Sequence, residues 1–157
     1  MKKDTPILIT GGAGFLGVRL ARALIERDEL RLAGATARTI DRMTLVDRVS
    51  PPADLQGHTR VRSVTGDLVD LLGQRADAVV PADADAIVHL AAAVSGECEA
   101  DLDLGLRSNL DATRMLLQRC RELGSAPTFV FSSSLAVFGD TAEQPLPTVI
   151  TDTTLPT

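Results

Sequence analysis

The chain has 157 residues, enough for one domain that buries a core of its own. Hydrophobic residues make up 45% and charged residues 24%, with a net charge of −5 and both signs interspersed, the proportions of a globular protein. No basic stripe is present to neutralise a nucleic-acid backbone, no apolar stretch is long enough to span a bilayer, and Cys98 and Cys120 are too few for a disulfide framework or a metal site. The short apolar run near the N-terminus does not make a signal peptide, so the composition points to a cytoplasmic protein with reduced thiols.

Along the chain, apolar runs alternate with helical patterns, the signature of βαβ units around a parallel sheet. A first strand at 6–10 runs into the glycine-rich turn Thr10–Gly17 and then a helix at 14–27, on which Phe15, Leu16, Leu20, Leu24 and Ile25 recur at helical spacing. The mixed segment 28–42 is longer than a typical connection and leads to a second strand at 43–47. A third strand at 61–65 follows the Pro51–Pro52 loop, then a helix at 71–80 and a buried strand at 86–90. A long helix is predicted over 101–124, with Gly124 as its stop, and a fifth strand over 128–132. The expected fold is α/β, a Rossmann-type doubly wound parallel sheet with strand order 3-2-1-4-5. Residues 1–140 form its dinucleotide-binding unit, and 141–157 a tail rich in threonine and proline.

The glycine turn carries the clearest chemistry. Gly11 permits a sharp turn, Gly14 lets the backbone approach phosphates, and Gly17 allows the new helix to pack closely. The helix that follows aims free N–H groups and its dipole at an anion. Asp47 closes the second strand, where a carboxylate accepts both hydroxyls of an adenine ribose and repels a 2′-phosphate, favouring NAD over NADP. Its distance from Gly11 exceeds the usual gap of roughly 20 residues, and Arg48 beside it could tolerate a phosphate. The alternative for Asp47 is a turn-starting aspartate. Asp67 can accept from an adenine amino group, with Leu68 on the ring, or can cap the next helix. His89 invites acid–base work, although a satisfied structural histidine is the better reading. Ser132, Ser133 and Ser134 end the fifth strand, at the sheet edge where ligands sit; they can hold a substrate hydroxyl or satisfy backbone groups.

Taken in order, these pieces resemble the N-terminal part of the extended short-chain dehydrogenases/reductases, the NAD-dependent epimerase/dehydratase group. The resemblance rests on Thr10–Gly17 (TGGAGFLG), Asp47, Gly66-Asp67-Leu68, His89–Ala92 (HLAA), Asn109–Thr113 (NLDAT) and Phe131–Gly139 (FSSSLAVFG). Within the group, His89–Arg107 and Ser133–Gly139 look most like the D-erythronate dehydrogenases, which oxidise four-carbon sugar acids. The resemblance implies that Gly11, Gly14, Phe15 and Leu16 line a pyrophosphate, and that Asp47 holds the adenine ribose. It implies Asp67 and Leu68 at the adenine, and Leu90, Ala91 and Ala92 along the ribose-phosphate. Asn109 would brace the site from the long helix, Ser134 would be the catalytic serine, and Ser95 would border the sugar-acid substrate. A homodimer through the long helix is the implied assembly.

Such enzymes take a proton with a tyrosine assisted by a lysine, on a Tyr-x-x-x-Lys helix. This chain has no tyrosine, and its lysines are Lys2 and Lys3 alone. It is therefore expected to be the front part of a longer enzyme and inactive by itself, with uncovered apolar surface that favours association. The alternatives are a nucleotide-sugar epimerase or dehydratase, and a non-catalytic dinucleotide sensor.

Overall fold

The computed structural model describes residues 4–124, 126–139, 145 and 149–154. Strand β1 (Asp4–Thr10) leads into helix α1 (Phe15–Arg27), the short β2 (Glu29–Leu30) and the long β3 (Arg38–Asp47). Helix α2 (Ala53–Gln56), β4 (Val61–Thr65), α3 (Leu68–Val79) and β5 (Ala86–His89) follow. The chain continues through α4 (Ser95–Ala100), α5 (Leu102–Gly105), a π-helical turn (Leu106–Asp111), α6 (Ala112–Leu123) and β6 (Thr128–Phe131). Most of the expected tail at 141–157 lies outside the described residues.

The parallel strands stand in the order β4-β3-β1-β5-β6, the 3-2-1-4-5 arrangement expected of a doubly wound sheet. Alternation along each strand splits the core in two, because successive side chains leave opposite faces. Ile7, Ile9, Met43 and Leu45 pack with Val18, Ala21 and Leu24 of α1. Leu8, Val46 and Ile87 pack on the other face with Leu71, Leu72, Leu116 and Cys120. Side chains such as Ile7, Leu8, Ile9 and Leu116 are at most 1% exposed, and each stabilises the fold by roughly 1.5–3 kcal/mol.

Two expectations change in detail. The segment before Asp47 is a hairpin: β2 runs antiparallel to the start of β3, pairing Glu29 with Thr39 and Leu30 with Arg38. Its turn places Ala33 and Gly34 at positive φ. The second strand therefore begins at Arg38 instead of residue 43, and the hairpin accounts for the long approach to Asp47. The long helix is also interrupted. Asp101 accepts from Leu104 N–H to start α5, and the π turn then carries an Ala112 N–H to Arg107 C=O bond. Gly124, at φ +64, ends α6 as expected.

Candidate dinucleotide site

The carboxyl ends of β1, β3, β4 and β5 surround an open cavity of about 380 Å³, within the size range of small-molecule sites. The turn after β1 forms one wall. Gly11 adopts φ +68, and a Cβ there would meet Leu90 and Ala91 backbone atoms at 2.9 Å. A Cβ on Gly17 would collide with Gly11 O and approach Gly12 Cα at 2.7 Å. The helix thus docks on the turn itself, which sharpens the expectation that Gly17 serves packing on the sheet. No side chain caps α1 and no acidic residue stands in its first turn. Its first intrahelical bond is Val18 N–H to Gly14 O. Phe15, Leu16 and Gly17, whose N–H groups precede that bond, line the cavity, and a helix N-terminus so placed offers N–H groups and the positive end of its dipole to a phosphate.

Asp47 ties this turn to β3. Its Oδ2 accepts from Ala13 N–H at 2.9 Å, and Oδ1 accepts from Arg48 N–H at 2.7 Å. Asp67 caps α3, accepting from Val69 N–H at 3.0 Å and Asp70 N–H at 3.3 Å, while also facing the cavity. Both readings offered for Asp67 are thus compatible with one position. Burial pushes its carboxyl up, but hydrogen bonds from Asp70 N–H and the Arg107 guanidinium outweigh this, leaving it below the usual carboxylate range.

Gly11, Gly14, Phe15, Leu16, Asp47, Asp67, Leu68, Leu90, Ala91 and Ala92 all line the cavity. Asn109 does not. Its Oδ1 accepts from Ala93 N–H at 2.8 Å and its Nδ2 donates to Ala93 O at 3.1 Å, so it braces the loop after β5 from behind. Ser95 opens α4, exposed and outside the lining, and Ser134 stands exposed beyond β6, its carbonyl accepting from Val137 N–H. Glu97, Ser108 and Val69 line the cavity without having been singled out. Ser108 stands on the π turn, which no periodicity in the sequence announces. Glu97 arrives because its Oε2 accepts from Val94 N–H at 3.1 Å, folding the carboxylate back at the start of α4.

Asp47, Asp67 and Glu97 make the lining acidic, and Arg48 is the basic residue in it among the described residues. Phosphates there would depend on backbone N–H groups, and an additional phosphate on the ribose would meet carboxylates. His89 faces away from solvent, 1% exposed, and bonds to Thr10 Oγ1 at 2.6 Å and Thr113 Oγ1 at 2.9 Å. Burial lowers its pKa, as the structural reading requires.

Residues 7–157 match the model of the NAD dependent epimerase/dehydratase family. The chain is 52% identical over 152 residues to the D-erythronate dehydrogenase of Cupriavidus necator, an alignment covering 94% of this chain and 43% of that protein. It superposes on the nucleoside-diphosphate-sugar epimerase of Agrobacterium tumefaciens with a TM-score of 0.72 and 37% identity, over 87% of this chain and 39% of that one. For MoeE5 in complex with UDP-glucuronic acid and NAD the TM-score is 0.70 at 27% identity, over 97% and 42%. The chain spans less than half the length of the curated relatives it matches. The strand order, the glycine turn against Leu90 and Ala91, and the matched span agree: this chain belongs to the NAD dependent epimerase/dehydratase family.

Proposed function

We propose that the chain is the NAD-binding part of a cytoplasmic oxidoreductase that oxidises a secondary alcohol of a sugar acid such as D-erythronate. The observation that carries this reading is the uncapped N-terminus of α1 opening into the acidic cavity at the strand ends. The 52% identity to a D-erythronate dehydrogenase supports the substrate class. In this reading residues 1–140 form the dinucleotide unit. Gly11, Gly14, Phe15 and Leu16 receive the pyrophosphate on backbone N–H groups, Asp47 the adenine ribose, and Asp67 with Leu68 the adenine. Leu90, Ala91 and Ala92 follow the second ribose, held in place by Asn109 through Ala93. Bound nicotinamide supplies the hydride acceptor. Ser134 orients the substrate hydroxyl and Ser95 borders the substrate, while the proton is taken by a tyrosine–lysine pair that this chain does not contain. Leu106 and Leu110 on the π turn and Leu117 on α6, each 47–58% exposed, support a homodimer through this segment.

Calorimetric titration of this chain with NAD and with NADP tests the reading. Tighter binding of NAD and no reduction of NAD on adding D-erythronate are expected; no binding of either dinucleotide overturns it. A nucleotide-sugar epimerase or dehydratase is the second reading, favoured by the superposition on such an epimerase. It predicts that the whole protein turns over a nucleoside-diphosphate sugar and leaves D-erythronate untouched.

A further inference from the structure

Arg107 stands on the π turn and reaches across to the N-terminus of α3. Its Nη2 lies 2.9 Å from Asp67 Oδ1 and 2.8 Å from Asp70 Oδ1. Asp67 Oδ1 already accepts the two capping bonds from Val69 and Asp70. One carboxylate oxygen therefore carries three donors. Both side-chain torsions of Asp67 are fixed by them, and so is the position of Oδ2, for which the described residues provide no hydrogen bond. Asp67 faces the cavity together with Gly66, Leu68 and Ser108, the residue next to Arg107.

The helix does not need this ion pair, because the cap is made by Asp67 alone. Arg107 is 40% exposed and Asp70 59%, and pairs of that kind contribute little to stability. What the guanidinium changes is the state of a cavity carboxylate. It occupies Oδ1 at 2.9 Å, acting with the Asp70 N–H against the rise that burial brings, and leaves Oδ2 of the carboxylate to accept from a ligand.

We propose that Arg107 is a positioning residue for base selectivity: by holding Asp67 Oδ1 it presents Oδ2 to the exocyclic amino group of adenine and rejects a purine bearing a carbonyl there. This rests on the reading that the cavity takes a dinucleotide. An amino group donates to a carboxylate, whereas a carbonyl oxygen set against the same carboxylate leaves two acceptors facing each other. A site built around a buried or half-buried polar group discriminates most strongly against the ligand that leaves it unpaired.

The test uses NAD and its hypoxanthine analogue, in which a 6-oxo group replaces the amino group and N1 carries a proton, in calorimetric titrations of this chain. The unaltered chain is expected to prefer NAD by about tenfold, the worth of one hydrogen bond to a charged group. Arg107→Met is expected to lose most of that preference while keeping its affinity for the hypoxanthine analogue, and Arg107→Lys to recover part of it. Melting temperatures of both variants establish that they fold. If Arg107→Met keeps the preference, or both affinities fall together at a constant ratio, the ion pair is only structural and the proposal is overturned. If the unaltered chain binds both dinucleotides equally, the proposal fails while the cofactor reading stands. If it binds neither, both fail.

Discussion

His89 Nε2 lies 2.9 Å from Thr113 Oγ1, and the Thr113 hydroxyl in turn donates to the Asn109 carbonyl at 2.9 Å. With its own hydrogen committed, Thr113 must accept, so the imidazole carries its proton on Nε2 and receives the Thr10 hydroxyl on Nδ1 at 2.6 Å. Ala91 N–H, 3.3 Å from Thr10 Oγ1, completes the chain. One neutral histidine thereby joins the end of β1, the loop after β5 and the π turn that carries Asn109. Protonation would set a donor against the Thr10 hydroxyl.

This arrangement makes stability depend on pH. Burial lowers the folded-state pKa of His89 from its ordinary value of 6.5. Below that value the unfolded chain binds a proton that the folded chain resists, so stability is complete above about pH 6.5 and declines as pH falls towards the folded value. The expected slope is at most about 1.4 kcal/mol per pH unit. Urea unfolding across this window should show it, and His89→Gln should flatten it. An equal slope in the variant would assign the effect to other groups.

Gly17→Ala should damage both fold and site. The added methyl collides with the Gly11 carbonyl and the Gly12 Cα, backbone atoms that cannot rotate away. A loss of about 1–3 kcal/mol in unfolding free energy is expected from such overpacking, together with weakened NAD binding. A variant with unchanged melting temperature and unchanged affinity would show that the turn has room the geometry denies it.

Asp47→Ala should relax discrimination between NAD and NADP. The carboxylate sits in the cavity wall and holds Ala13 N–H at 2.9 Å, so overall affinity should also fall as the turn loosens. The measured quantity is the ratio of the two dissociation constants. A ratio identical to that of the unaltered chain removes Asp47 from the ribose site.

Arg60 and Arg22 should behave differently on replacement by methionine. Arg60 Nη2 donates to Ile25 O at 3.0 Å and Nη1 to Ile40 O at 3.1 Å, with Asp28 as its ion pair, tying the end of α1 to β3. Leaving those part-buried carbonyls unpaired should cost about 1–3 kcal/mol. The Arg22–Asp54 pair, at 2.9 Å, lies on the surface with both side chains about half exposed. Its loss should leave the denaturation midpoint unchanged. Equal midpoints for the two variants would contradict the role of Arg60.

The order of elements was legible because it depends on local pattern. Apolar runs such as Ile7–Ile9 and Ala86–Val88 can be satisfied only by strands covered on both faces, and the glycines of Thr10–Gly17 fit one kind of turn. Of the lining residues, Gly11, Gly14, Asp47, Asp67 and Leu68 followed from the glycine turn and from strand ends that meet at one edge of a parallel sheet, whereas Phe15, Leu16, Leu90, Ala91 and Ala92 were implied by the family resemblance. The hairpin of β2 escaped notice because two paired residues leave no periodicity. The π turn escaped because a single extra residue per turn does not disturb an apolar stripe over a few positions. Those features set what local pattern could not: that Arg107 meets Asp67, that Ser108 turns into the cavity, and that Asn109 grips Ala93 instead of a ligand. Each joins residues distant in sequence through hydrogen bonds whose geometry exists only once the helices have packed on the sheet.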